Sequence, residues 1–541
     1  MTAAQDRSSR FTGTWKLVRF ILRRDRIKFP AWVLGISFMA VYFTTALPVL
    51  FGGEEGLAET AGGFLSQGVV AIFGGPGYGF EDLTFPRLFV GVYGLYIIIM
   101  AALMSILMIS RHTRVEEQSG RSELVSSNAV GRMASLSAAV VVAVMANVLL
   151  SILIGTVLVG QKYDPAASVL FGAGVGAVGL VFVGVAAITV QLTEFSRTAS
   201  GLAGVVLGAM YGIRVAGDSI QEHGSPLSWF SPLAWSQQTR PFVDGRWWPL
   251  LLSLALAGVM VGIGYALASS RDFGAGLFGV RPGPARAAPW LGSPLAVAYR
   301  LQRGSILGWG AFLVVWGYAN GAIVESVVDG LEGVSEEVLA IFGGDVAILS
   351  DGYLASMGLY NAALVAIFVV LGVHSIRSEE NGGRTEPVLA TATSRWAWLG
   401  SHMVVLAVGS TLLLAVSGLA MGLGAAVGMQ ESALVWDVAA SHLAFIPALL
   451  VFLAIAGLLY GFVPRAVGLA WVPVAYAFLM GFFGPLWDLP QWVLNLSVFE
   501  HIPAIPAEDF LLAPVVILAA IAVAVGVAGL AAFRNRDLIA T

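Results

Sequence analysis

Twelve apolar stretches dominate the sequence, each long enough to cross the hydrocarbon core of a bilayer, which takes about 20 helical residues. They fall near 30–49, 88–110, 134–160, 166–191, 198–217 and 248–269, then near 306–328, 354–374, 397–427, 436–462, 466–487 and 512–533. So many runs leave 57% of the 541 residues hydrophobic and 11% charged, a balance that no soluble globular class has. Lipid cannot hydrogen-bond a backbone, so each spanning segment has to satisfy its own as a helix. The short alternating strands of a membrane barrel are absent. The expected fold class is therefore an all-α polytopic membrane protein with twelve transmembrane helices, arranged as two six-helix halves.

Basic residues fix the expected orientation, because Lys and Arg concentrate in cytoplasmic loops. If the N-terminus is cytoplasmic and twelve spans alternate, 24 of the 29 basic residues lie inside. Only Arg87, Lys162, Arg214, Arg240 and Arg246 fall outside, while Glu325 to Asp351 carries seven acids and no base. The first 28 residues are polar and basic with no short apolar core and cleavage site after them, so no signal peptide is expected and the first span stays as an anchor. Cysteine is absent, which removes disulfides and thiolate chemistry.

Against this charge-poor background, "RVEEQSGRSELVSSNAVGR" at 114–132 carries six charges, and all six recur 263 residues later in "RSEENGGRTEPVLATATSR" at 377–395. The pairs are Arg114/Arg377, Glu116/Glu379, Glu117/Glu380, Arg121/Arg384, Glu123/Glu386 and Arg132/Arg395, with Gly120 matching Gly383. Similar offsets relate "AIFGG" at 71 and 340, "GLY" at 94 and 358, and "RD" at Arg271 and Arg536. The chain is thus an internal duplication. Both charged elements follow the second span of their half, so the halves share one orientation and form a parallel repeat. The resulting division is an amphipathic elbow helix at 1–29, a first half at 30–269, a Pro/Gly/Arg-rich linker with a second elbow at 270–305, and a second half at 306–541. In the elbow, Phe11, Trp15, Val18 and Leu22 share one helical face and Lys16, Arg19, Arg23 and Arg26 the other, as in a helix lying at the lipid surface.

The repeated element reads as a short helix in which Glu117 pairs with Arg121, and Glu380 with Arg384, at the favourable i,i+4 spacing. Glu116, Gly120 and Glu123 share one side, and Gly120 and Gly383 leave room for a partner to approach. A solvated hairpin kept out of lipid by its charges explains the excess of charge. It does not explain a repeat of sign and spacing position by position, which points to a docking role.

The E-E-x-x-G-R-x-E element after the second span of each half, the basic elbow and "SVFEHIPAIPAEDF" before the last span resemble the two-halved, twelve-span permeases of type-2 ABC exporters. The likeness is to the polyether-resistance permeases, such as those for tetronasin, and to actinobacterial multidrug exporters. It extends over essentially the whole chain. It implies that Glu116, Glu117, Gly120, Arg121 and Glu123, with Glu379, Glu380, Gly383, Arg384 and Glu386, form two coupling helices, each seated in a separate ABC ATP-binding subunit. Two copies of that subunit would hold ATP and Mg²⁺, leaving this chain as a transport subunit of a bacterial cytoplasmic membrane with both termini inside and export as its direction. Pro387, directly after the last acid of the second element, departs from the first and is expected to end or redirect that helix.

The chain has no G-x-x-x-x-G-K-[ST] phosphate loop. No nucleophile, metal-ligand or phosphate constellation stands out, and neither a resident cofactor nor nucleic acid is expected. A proton-driven multidrug antiporter of major-facilitator type is the rival, since it too has twelve spans in parallel halves. Its Arg-rich signature loop is not seen, and the spans hold almost no ionisable residues: Arg214 and Arg465 sit near expected ends and Glu194 in a short loop. An apolar pathway suits a hydrophobic or amphiphilic drug, antibiotic or lipid. Tyr93, Tyr96, Asn147, Asn320, Tyr360 and Asn361 are candidate pathway positions, each with helix–helix hydrogen bonding as the plainer role. The stretches 50–87 and 325–351 are expected to cap the exit.

Overall fold

A computed structural model describes residues 10–54, 56–57, 74–121, 130–221, 223–272, 274–279, 285–331, 349–484, 489–503, 505 and 511–537. Every regular element among them is helical, as the lipid argument requires. The chain divides into two compact units, 1–283 and 284–541.

In the first unit, α1 (Thr14–Arg24) is followed by α2 (Lys28–Leu50), α3 (Gly94–His112), the short α4 (Arg114–Gln118), α5 (Ala134–Gly160), α6 (Pro165–Leu192), α7 (Ser196–Ile220) and α8 (Pro249–Ser270). The hub is α6, which packs on α3, α5, α7 and α8. Close packing has to do here what the hydrophobic effect does in water, because lipid tails are as apolar as the helices. Glycines on one face of α6 allow it: a methyl on Gly176 or Gly179 would strike Ser151 or the side chain of Asn147 on α5. Asp164 caps the helix by accepting from the Ala167 N–H at 2.8 Å, and Pro165 fills its first position.

The second unit holds α9 (Pro294–Ala322), α10 (Leu349–Asn381), α11 (Thr385–Leu389), α12 (Arg395–Gly428), α13 (Leu434–Leu443), α14 (Ile446–Phe462), α15 (Trp471–Phe483) and α16 (Leu512–Asn535). Again glycines mark the closest crossings, Gly317 and Gly321 of α9 against α12 and Gly461 of α14 against Gly529 of α16.

Ten helices among the described residues are long and apolar enough to span a membrane. The two other expected spans differ for separate reasons. The helix over the 306–328 stretch, α9, runs 29 residues but is diluted by Asn320, glycines and Trp, and the 466–487 stretch is a 3₁₀ segment at Pro464–Ala470 followed by only 13 helical residues in α15.

The elbow bends at Asp25–Ile27 into α2 and packs on α5, burying Val18 and Ile21 while leaving Trp15 and Phe20 more than half exposed. The inward face is therefore turned from the expected Phe11/Trp15/Val18/Leu22 stripe toward Val18, Ile21 and Asp25. The reason is electrostatic: Asp25 is drawn in by Arg111, which donates to it through two nitrogens, both at 3.0 Å.

Candidate functional site

Each charged element lies where three chain segments meet. In the first unit α3 breaks at Thr113 (φ −121°, ψ −82°) and α4 carries Glu117 toward the ends of α6 and α8. Glu117 accepts from Arg271, just past α8, at 2.6 and 3.1 Å and from the fully buried Arg114 at 2.7 Å. Arg271 also donates to Gln191 at the end of α6, at 2.6 Å. Arg132 reaches the Arg271 carbonyl.

The second unit repeats the plan. Glu380, on the last turn of α10, takes both ends of Arg536, just past α16, at 2.9 Å each, and accepts from the Tyr460 hydroxyl at the end of α14 at 2.6 Å. Arg395 donates to the carbonyls of Arg534 and Arg536. Tyr460 takes the place of Gln191, and Arg536 that of Arg271. The repeated "RD" dipeptides thus supply the arginines that hold the repeated glutamates, which accounts for their similar offsets.

These contacts correct the expected pairing. Glu117 pairs with Arg114 and Arg271 rather than Arg121, and Arg384 pairs with Glu379 at 2.7 and 2.8 Å rather than with Glu380. The cause is the backbone, since neither helix continues far enough for an i,i+4 contact. Gly120 and Gly383 have φ of +71° and +67°, and each donates its N–H to the preceding glutamate carbonyl, Glu117 or Glu380. In the second unit the Arg384 N–H closes the Schellman motif on the Glu379 carbonyl at 3.1 Å. The glycines therefore stop helices, a role set by chirality. Gly383→Ala should cost about 1–2 kcal/mol and Gly382→Ala less, because only the former puts a Cβ in the left-handed region. Chemical unfolding in detergent would check the difference.

The remaining positions sort by exposure. Arg121, Arg384 and Glu386 face solvent, Glu379 is half-buried, and Glu123 lies outside the described residues. Pro387 stands in the first turn of α11, where no helical N–H is lost, so it redirects the chain into a new helix. Glu116 turns inward to Arg24 of the elbow at 2.8 Å, and Arg24 also donates to His112 at 3.1 Å. His112 in turn meets Asp25 at 3.1 Å. Elbow and α4 are joined through this chain, beside a cavity of about 910 Å³ counting its open mouth that Arg121, Arg132 and Arg271 also line.

Burial opposes the charge on Asp25, but the hydrogen bond from Arg111 and the nearby His112, Arg111 and Arg24 together hold its pKa below the ordinary 3.8. Its contribution to stability is therefore complete above pH ~4 and is lost as pH falls through the lower folded value. Acid unfolding followed by tryptophan fluorescence should contain this component below pH ~4, and Asp25→Asn should remove it.

The family model "Multidrug efflux system permease Rv1217c, C-terminal domain" matches residues 17–267 and 291–534, stretches that contain both charged elements. The chain belongs to this family of multidrug efflux permeases. It is also 36% identical over 547 residues to the multidrug efflux system permease protein Rv1217c of Mycobacterium tuberculosis (strain ATCC 25618 / H37Rv), covering 99% of this chain and 97% of the relative.

The permease uses most of its expected pathway residues for packing. Asn147 is buried on α5 and donates to Ser105 of α3 and to the Ala143 carbonyl, both at 2.9 Å. Asn320 donates to the Trp316 carbonyl at 2.8 Å and its own carbonyl accepts from Tyr353 at 3.0 Å. Asn361 sits 2.9 Å from His442 Nε2, while His442 Nδ1 faces the Val438 carbonyl at 2.8 Å, the arrangement of a neutral imidazole. Tyr93 stacks on Phe43 at 4.4 Å with Tyr96 beside it, and Tyr360 lies 6.2 Å from Phe478.

Sequence reasoning missed one intramembrane feature. Arg214 and Asp218 are both buried on α7, paired at 3.1 Å, with Ser228 donating to Asp218 at 2.6 Å and Arg214 to the Gly74 carbonyl at 3.2 Å. The apolar count ended this span at 217, but α7 continues to Ile220, so both charges stand on it. The i,i+4 spacing of Arg214 and Asp218 in "RVAGD" was the available signal.

Proposed function

We propose that this multidrug efflux permease is the membrane subunit of an ATP-driven exporter of ABC type, docking two copies of an ATP-binding subunit through its two charged elements. The observation that carries this reading is the duplicated junction, in which Glu117, through Arg271 and its bond to Gln191, and Glu380, through Arg536 and Tyr460, hold the ends of the fourth and sixth spans of their halves while Arg121, Arg384 and Glu386 stay exposed. Such a junction has an outer surface for a partner and an inner anchor that passes displacement into the bundle. Glu117 and Glu380 act as anchors, and the exposed residues as handles. The permease spans twelve times, with α9 and the 464–483 segment supplying the two less apolar crossings, and both termini and both anchor glutamates lie on the cytoplasmic side of a bacterial membrane. ATP and Mg²⁺ belong to the partner subunits. The cargo is a hydrophobic or amphiphilic drug, antibiotic or lipid.

Co-purification with candidate ATP-binding subunits tests the docking. Reversal of the exposed charges, Arg384→Glu with Glu386→Lys, should release the partner and leave the permease folded. Retention of the partner and of ATP-driven efflux in that variant would sink the docking surface.

A second reading, a proton-driven antiporter, is favoured by one observation: the buried Arg214–Asp218 pair puts ionisable groups inside a span. Loss of efflux on collapse of the proton gradient at constant ATP would select it.

A further inference from the structure

The five basic residues that break the inside rule all belong to the first unit, and four of them gather at one place. Arg87 and Lys162 line a cavity of about 1360 Å³ counting its mouth, formed by residues 84–87, the α5–α6 turn and the 242–247 loop. Asp244 of the same wall pairs with Arg246 at 2.7 Å and with Arg240 at 3.5 Å. This is the end of the unit opposite Arg111–Arg121 and Arg271, because α3, α5 and α8 each run from one set to the other. The corresponding ends of the second half, 325–351, 429–434 and 484–511, contain no Lys or Arg.

Most charges on the wall are already engaged. Arg87 binds Asp82 at 2.7 Å and the Phe242 carbonyl at 2.9 Å, Asp164 caps α6, and Asp244 holds its two arginines. Two are not: among the described residues Lys162 and Glu54 make no ion pair. Lys162 is moreover held with φ at +65°, a conformation that a side chain other than Gly, Asn or Asp seldom adopts. Tyr163 lines the same cavity with a buried hydroxyl that has no hydrogen-bond partner among the described residues, an omission that natural proteins seldom tolerate. Burial pushes that phenol up to about 12, so the hydroxyl keeps its proton and remains a donor. Phe85, Phe242 and Trp247 complete the wall with apolar surface, Tyr163 meeting Phe242 edge to face at 5.8 Å.

Among the described residues, an unpaired cation, an unpartnered phenol donor, an unpaired carboxylate and an aromatic wall define a ligand with an anionic group, a cationic group and a tail. We propose that this cavity binds the head of a zwitterionic phospholipid with a primary ammonium, the phosphate at Lys162 and Tyr163 and the ammonium at Glu54. A singly anionic head would leave Glu54 opposed, and a quaternary ammonium cannot donate a hydrogen bond to it. The site is independent of what energy drives transport.

The test uses the whole permease in detergent and short-chain phosphatidylethanolamine, phosphatidylglycerol and phosphatidylcholine as probes, with native mass spectrometry reading the affinity. Phosphatidylethanolamine should bind best. Lys162→Ala should weaken it about tenfold and Tyr163→Phe by a smaller factor. Glu54→Gln should erase the preference over phosphatidylglycerol while sparing phosphatidylglycerol itself. Lys162 and Glu54 are exposed, so these variants leave packing intact. Tail-free phosphoethanolamine distinguishes a lipid from a soluble head: it should compete weakly, and competition equal to the lipid would remove the amphiphile. Equal binding of the three lipids, or no response to Lys162→Ala and Glu54→Gln, would overturn the site.

Discussion

Glu380→Ala should destabilise the permease by about 3–5 kcal/mol, against less than about 1 kcal/mol for the neighbouring Glu379→Ala. The two glutamates are adjacent and both bind an arginine through two bonds, so burial and the extra bond from Tyr460 separate them. Glu380 is 4% exposed and holds Arg536, itself 11% exposed, together with the Tyr460 hydroxyl. Removing it strands a cation over the rings of Tyr460 and Phe533, which cannot replace a carboxylate. Glu379 instead pairs with the exposed Arg384, whose pKa is raised by the hydrogen bond to Glu379 and whose loss water readily compensates. Chemical unfolding in detergent, read by far-ultraviolet circular dichroism, gives both values. Exchanging the charges, Glu380→Arg with Arg536→Glu, should recover part of the loss. The same exchange at Glu117 and Arg271 should not, because the buried Arg114 would then face a second arginine. Comparable losses at Glu379 and Glu380 would mean that the junction is open to solvent and cannot anchor anything.

Asp218→Ala is the second large effect, again about 3–5 kcal/mol, because it takes the carboxylate from a fully buried Arg214. Replacing the pair with apolar residues of similar size, Arg214→Met with Asp218→Leu, should restore stability to near the starting value. That double variant also divides the two energy sources. Under ATP-driven export it folds and transports, whereas under proton coupling it folds and does not. Drug uptake into inverted vesicles at fixed ATP, with and without a proton gradient, reads the outcome.

How much of this was open to a reader of the sequence depended on whether the deciding interaction is local. Hydrocarbon thickness is a local criterion, and it placed the helices. It did not foresee the shape of the 466–487 run, where a 3₁₀ segment at Pro464–Ala470 precedes a helix of 13 residues. The duplication was legible because charges are scarce, and it located both junctions. What those charges bind was not legible, since Arg271 and Arg536 lie 154 and 156 residues beyond their glutamates and no spacing rule reaches that far. The short-range expectation of Glu117 with Arg121 lost to a left-handed glycine, which ends the helix before the two can meet. The asparagines on the spans were placed correctly, and their partners Ser105 and His442 came only with the packing.

The two halves are unequal as levers. In the second half the helix that ends in Glu380 runs unbroken over 33 residues, about 50 Å at 1.5 Å per residue. In the first half the matching path is jointed at Thr113, between α3 and α4. A push of the same size at both junctions would travel the full length of a stiff rod on one side and be partly absorbed by a joint on the other. Equal loads on the two junctions would therefore move the second half further than the first.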